Sequence, residues 1–317
     1  MLSHRHQHRS RVLTHRRFRA PAATGSAPSR PAPPAVFSAG PAAAVTARRR
    51  RRGWTWTVVT VVVLAVYLFP VYWMISASLQ PSANSTDTAW FPTSPGLGGY
   101  EKALDDAGIG GLRVSVLVSL GSVLVTLLVA IPAAYALSRL RSRAVSIALI
   151  LLLLAQMIPS VVLATSFYAM FNSWGLLNTF IGLILANSTA GVPFAVIVMR
   201  AFMLRLDAEV IEAATVDGLG PLGVLWRIVV PLSRNAIVTA GVFAFLFSWG
   251  DLLFGLTLVN RNEMYPMSVL ILALSNSNLN TWAATMAASL IASLPALVVI
   301  LSAQRHVKAG LTAGAGR

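Results

Sequence analysis

The sequence predicts an all-α, polytopic membrane protein with six spanning helices and both termini on the cytoplasmic side. Three observations point there. Of the 317 residues 56% are hydrophobic and only 11% charged, with a mean hydropathy of +0.70, whereas a soluble domain carries roughly 25% charged residues. Uncharged apolar runs recur at the roughly 20-residue length that a bilayer about 30 Å thick demands. The positive charges gather in alternate loops.

Residues 1–53 hold twelve of the 25 Lys and Arg in a Pro-, Ala- and Arg-rich stretch without apolar periodicity, which is expected to be disordered. No apolar core precedes a cleavage site, and Arg16-Arg17 has no apolar run behind it, so neither a signal peptide nor a twin-arginine leader is read here. The expectation is an uncleaved cytoplasmic tail, or a start codon placed too early. Trp54 to Leu79 is the first span and Val114 to Ser138 the second. Ala144 to Met199 is uncharged and too long for one crossing, so it is expected to hold two, folded at the polar break Asn172-Ser173-Trp174-Gly175 and Asn178-Thr179. Asn235 to Asn260 is the fifth, interrupted only by Asp251, and Ala283 to Ala303 is the sixth. Met264 to Leu274 is too short to cross and reads as a surface or half-inserted element on the outer side. Pro159, Pro193 and Pro295 are expected to kink their helices.

Orientation follows from the basic residues. The N-terminal stretch, Arg139/Arg141/Arg143, Arg200/Arg205/Arg227/Arg234 and Arg305/Lys308/Arg317 fall on one side, and only Lys102, Arg113 and Arg261 on the other. The rich side is the cytoplasm, with or without the tail. The same distribution argues against nucleic acid as the partner of the formal charge of +15; the bilayer is the solvent.

Several function classes drop out. There is no cysteine, and His4, His6, His8, His15 and His306 all lie near the termini, so no thiolate or histidine site is expected within the membrane, and no cofactor. A membrane-embedded enzyme would need an acid, base or nucleophile assembled there. A secondary transporter would usually show repeated helices and intramembrane ionisable groups, yet no clear repeat is present and Asp251 is the only internal charge. No G-x-x-x-x-G-K-[ST] loop is present to bind nucleotide.

The cytoplasmic stretch 200–234 is longer than a connection requires and holds four of the ten acidic residues. Asp207 suits a helix N-cap, and Glu209 and Glu212 sit in the first turns, where the macrodipole favours them. Ala208 to Val216 then reads as a short helix, Gly218 as its left-handed terminator, and Pro221 as the first turn of a second helix that Pro231 closes. Ala213 and Ala214 would let another surface approach closely.

With Glu212-Ala213-Ala214, three residues, Gly218, nine residues, and Ile228-Val229-Val230-Pro231, the chain resembles the membrane subunits of bacterial ATP-binding-cassette importers, whose signature is EAA-x3-G-x9-I-x-L-P; Val230 replaces Leu. The resemblance covers about residues 54–317 and is closest to the maltose-transporter-type second permease subunit. "FPVYWMISASLQ" (69–80), "AAYALSRLRSR" (133–143), "GLLNT" (175–179), "WAATMAASLIASLP" (282–295) and the terminal "QRHVKAGLTAGAGR" carry it. Gly250-Asp251 stands where Asn-Glu is usual, Asn235 where Pro is frequent, and the final Lys-Gly is missing.

The resemblance implies a type I ABC importer permease in the bacterial inner membrane: a tail (1–53), a six-helix permease domain (54–303) with its coupling loop (200–234), and a C-terminal tail (304–317). It implies a homologous second permease, two ATPase subunits that hydrolyse the ATP, an extracytoplasmic sugar-binding protein, and a sugar as solute; other solutes remain compatible with the motif. Glu209, Glu212, Ala213, Ala214, Asp217, Gly218, Ile228 and Pro231 are the expected ATPase-coupling residues, and Gln304, Gly310 and Gly314 the expected C-terminal contacts. Gln156, Asn172, Asn187, Trp249 and Asp251 are candidates for the translocation path. Trp249 equally fits an interfacial aromatic, the polar residues equally fit helix glue, and Asp251 equally fits the outer end of its span, reaching headgroups or a partner subunit.

Overall fold

The structure is a computed structural model that describes residues 42–80, 88–276 and 282–312. Most of the expected N-terminal tail, and Gly314, lie outside the described residues. No strand occurs among those described. Four continuous helices are long and apolar enough to cross a bilayer: Trp56–Ser78, Gly108–Arg139, Phe180–Met203 and Trp282–Gln304. Two bent pairs, Arg143–Ala155 with Ser160–Trp174 and Pro221–Leu232 with Arg234–Trp249, bring the crossings up to six where each pair counts as one span.

The first helix, α1 (Ala42–Ser78), begins before Trp54. The last part of the stretch expected to be disordered is therefore helical, since Ala and Arg are strong helix formers. Its residues from Val62 to Tyr72 expose their large apolar side chains, Tyr67 at 77% and Val66 at 66%. After α2 (Gly98–Ala103), α3 (Asp106–Arg139) starts under the cap of Asp105, whose carboxylate accepts from the Gly108 amide at 2.8 Å.

The third span is two helices, α4 (Arg143–Ala155) and α5 (Ser160–Trp174), meeting at 95°. Pro159 does more than kink the chain. Proline has no N–H and restricts the residue before it, so helix geometry lapses from Gln156 to Pro159. The polar break expected between spans three and four is present. Gly175 (φ 68) ends α5 in the left-handed region, and the Thr179 hydroxyl accepts from the Gly182 amide at 3.0 Å to start α6 (Phe180–Met203). Asn178 (φ 56) is the one non-glycine residue with positive φ among those described. Its amide donates to the Leu258 carbonyl at 3.0 Å, and its side-chain oxygen accepts from the Asn260 amide at 2.8 Å.

Span five does not run to Asn260 as one helix. The helix that enters it, α10 (Arg234–Trp249), stops at Gly250. The Asp251 carboxylate then accepts from the amides of Phe254 and Gly255 at 3.0 and 3.4 Å, which caps a separate helix, α11 (Leu253–Leu258). The short outer element is α12 (Met267–Asn276), and α13 (Trp282–Thr312) carries span six beyond Ala303, so the expected C-terminal tail is helical through Gly310.

α3, α6 and α10 pack through small residues. Ser115, Ser119, Ser122, Thr126, Ala130 and Ala134 recur at three- and four-residue steps along α3, all buried. They meet α6 where Gly191 leaves no room: a Cβ there would stand 2.8 Å from the Thr126 hydroxyl and 3.3 Å from the Ala244 Cβ. Lipid is as apolar as leucine, so close backbone approach and interhelical hydrogen bonds take over from hydrophobic burial. The Ile184 carbonyl of α6 accepts from Ser122 of α3 at 3.2 Å as well as from Ser188 of its own helix at 2.6 Å, and Ser248 of α10 lies 3.3 Å from the Ser122 hydroxyl.

Candidate functional site

The stretch between α6 and α10 forms the two-helix loop that its sequence dictates. Asp207 occupies the N-cap position of α7 (Ala208–Val216), although its side chain makes no capping bond. The helix has two faces. Ala214 is buried (6% exposed) in an apolar cluster with Ala130, Ala134, Met199, Met203, Val224, Leu225 and Val229, and Ile211 packs against it. Glu209, Glu212, Ala213 and Asp217 are exposed on the other face, beside Val216 at 87%.

α7 ends with the Leu219 amide donating back to the Ala214 carbonyl at 3.1 Å, a closure that requires a left-handed residue between them. Gly218 supplies it with φ 87, and a Cβ there would meet nothing within 4 Å. The demand is therefore purely on the backbone. Asn adopts this region far more readily than a β-branched residue. Gly218→Asn is expected to leave the closed turn nearly as stable, whereas Gly218→Val is expected to destabilise it roughly tenfold, on the ~1–2 kcal/mol cost of left-handed geometry. Equal melting temperatures of the two variants in detergent would contradict this.

Pro221 opens α8 (Pro221–Val224) at its first position. Pro231 does not close the second helix. The chain widens into a π-turn at Leu225–Val229 and continues helical through α9 (Val230–Leu232). Proline cannot donate to the carbonyl four residues back and its ring crowds that turn, and the wider turn absorbs the conflict: the Val230 amide bonds to the Leu225 carbonyl. The real stop is Ser233, beyond which α10 departs at 81°. Within the signature, Ile228 packs against the same cluster, and Pro231 is exposed.

Above the loop, two arginines cross. Arg139 at the end of α3 donates to the Met203 carbonyl of α6 at 3.4 Å. Arg200 of α6 donates through Nε to the Leu137 carbonyl of α3 at 3.0 Å. Cations at helix C-termini complement the unsatisfied carbonyls there. Sequence reasoning had counted both only as charges that orient the chain. Helical spacing put each in a last turn, but the reciprocal reach depends on how closely α3 and α6 pack.

The candidate path residues are not gathered in one place. Gln156 is exposed at the α4–α5 break, and Asn172 is exposed near the other end of α5. Asn187 is buried and donates to the Leu183 carbonyl of its own helix at 2.9 Å. The Trp249 indole donates to the Ala292 carbonyl of α13 at 2.9 Å, and Asp251 caps α11 as described. Gln304 is exposed on α13.

The family described as "Binding-protein-dependent transport system inner membrane component" matches residues 122–312. The sulfoquinovosyl glycerol transport system permease protein of Agrobacterium fabrum is 30% identical over 78% of this chain and 88% of its own length. The trehalose transport system permease protein of Mycobacterium tuberculosis is 31% identical over 81% of this chain and 95% of its own. Among solved structures, a bacterial ABC transporter involved in the import of the acidic polysaccharide alginate superposes with a TM-score of 0.70 at 20% identity. It covers 81% of this chain and 97% of its own, which establishes the fold.

Proposed function

This chain belongs to the family of binding-protein-dependent transport system inner membrane components, and from that premise we propose that it is the second permease subunit of an ATP-driven sugar importer. It forms half of the translocation pathway with a homologous permease in the bacterial inner membrane. Two cytoplasmic ABC ATPases supply the energy, and an extracytoplasmic binding protein delivers the sugar. Residues 54–303 are the permease domain, 1–53 and 304–317 its cytoplasmic tails.

The observation that carries this reading is the two-faced helix α7. Ala214 is locked into the bundle while Glu209, Glu212, Ala213 and Asp217 face outward. A lever needs both: a grip on the helices it moves and a face for the partner that pushes it. Glu209 to Pro231 is the coupling element, with Gln304, Gly310 and Gly314 as further ATPase contacts. Relatives named for sulfoquinovosyl glycerol and trehalose transport support a mono- or oligosaccharide as solute.

The α4–α5 break supports a partner permease. Residues 153–162 are all exposed, and among the described residues no backbone donor reaches the carbonyls of Gln156, Met157 or Ile158. Irregular backbone persists at membrane depth only where protein covers it or water reaches it. A second permease across a shared aqueous path provides such cover, with Gln156, which sits at the break itself, as the better path candidate.

The test is purification of the complex with its ATPase and binding protein, wild type against Glu212→Arg. Wild type is expected to show ATP hydrolysis stimulated by its sugar. The reversed charge is expected to weaken ATPase association roughly tenfold, the scale of one mismatched interfacial charge. An assembly that never contains an ATPase, with uptake following an ion gradient, would refute the reading.

A further inference from the structure

We infer that Arg139 and Arg200 are positioning residues that make the cytoplasmic ends of α3 and α6 move as one body with the coupling helix; the inference rests on the function proposed above. The two guanidinium groups hold each other's helices. Arg200 Nε donates to Leu137 on α3 at 3.0 Å, and Arg139 donates to Met203 on α6 at 3.4 Å while lying 5.8 Å from the Tyr135 ring centroid. Both bonds end on backbone carbonyls rather than on another side chain, so the link has no swinging partner at its far end. Charge-assisted bonds of this kind are about twice as strong as neutral ones.

The location gives the pair its task. Met203, whose carbonyl Arg139 holds, belongs to the apolar cluster that Ala214 enters from α7 and that Val224, Leu225 and Val229 enter from the second helix of the loop, and Leu137, whose carbonyl Arg200 holds, packs against that cluster. A displacement of α7 therefore meets α3 and α6 at the level where they are fastened together. Without the fastening, the cytoplasmic ends of α3 and α6 would be joined by apolar contacts alone, since Ser122 and Ile184 meet further along the bundle; one end could slip against the other, and the stroke would be lost between them. Arg139 Nε is buried without a partner, which makes Arg139 the weaker half and Arg200 the stronger.

The test uses the assembled importer in proteoliposomes and reads sugar transported per ATP hydrolysed. Arg139→Ala/Arg200→Ala is expected to keep the ATPase bound and hydrolysing while transport per ATP falls roughly tenfold. Arg200→Lys, which can still donate to Leu137, is expected to recover much of the loss. Unchanged transport per ATP in the double variant overturns the inference, as does failure of Arg200→Lys to outperform Arg200→Ala. An assembly without any ATPase would instead sink the functional reading itself.

A second measurement needs no arginine variant. The chain has no cysteine, so spin labels at Leu140→Cys and Leu204→Cys, exposed residues just past the ends of α3 and α6, report on the fastening directly. Their separation is expected to stay constant between the nucleotide-free and the vanadate-trapped complex. A separation that changes with nucleotide overturns the inference even if the arginine variants do not fold.

Discussion

Replacing Ala214 with arginine is expected to abolish coupled uptake while leaving the chain inserted in the membrane. Ala214 is the residue through which α7 grips the bundle, 6% exposed among Ala130, Ala134, Met199 and Met203. A guanidinium cannot enter that cluster without a counter-charge. An uncompensated buried charge costs at least ~3 kcal/mol, which shifts the docking of α7 by on the order of 100-fold. The outward face, with Glu209, Glu212 and Ala213, is untouched, so the ATPase is expected to bind and hydrolyse without moving the permease. Transport measured beside ATP hydrolysis in the same vesicles checks this. Ala213→Arg, one residue away but exposed, is the contrast: it is expected to act on ATPase binding. Ala214→Arg vesicles that transport normally would show that α7 does not work through this grip.

The second large effect is expected at Gly191. Gly191→Leu places a branched side chain where the first carbon alone would stand 2.8 Å from the Thr126 hydroxyl and 3.2 Å from its methyl group. Overpacking of a tight core costs about 1–3 kcal/mol. Here the upper end applies, because Ala244 closes the other side at 3.3 Å and three helices must part together. A lowered melting temperature in detergent and poor yield of the assembled complex are the expected results, with Gly191→Ala intermediate. The obstructing Thr126 hydroxyl is buried and makes no hydrogen bond. Thr126→Ala is therefore expected to cost little alone and to rescue Gly191→Ala in part, a coupling that a double-mutant cycle measures. Strict additivity would place the cause elsewhere.

These two sites also mark what the sequence makes legible. The loop around Ala214 is local chemistry: a cap position, a glycine at positive φ and a proline in a first turn are each set within a few residues, and α7 occupies the expected Ala208–Val216. The spans are legible because lipid demands length and apolarity. Span five is not, because hydropathy averages over Asp251 and cannot show that its carboxylate turns back on Phe254 and Gly255. The same average hides the depth of the break at Pro159. The seam of Ser115, Ser119, Ser122 and Thr126 looks neutral inside an apolar run, although its spacing marks one helix face. Pairings between distant helices, such as Arg200 with Leu137, depend on packing that no single helix encodes.

The tie between Asn178 and the Leu258–Asn260 segment bears on how the molecule is made. The Asn178 side chain accepts from an amide 82 positions later, and ribosomes add roughly 5–20 residues per second. The outer turn thus emerges about 4–16 s before its partner has been synthesised. During that interval only the local devices can hold the turn: Gly175 in its left-handed conformation and the Thr179 hydroxyl on Gly182. The distant bonds fasten afterwards, when the α11 segment arrives. A chain stalled before residue 258 would therefore carry its third and fourth spans as a hairpin already shaped but not yet stitched to the rest.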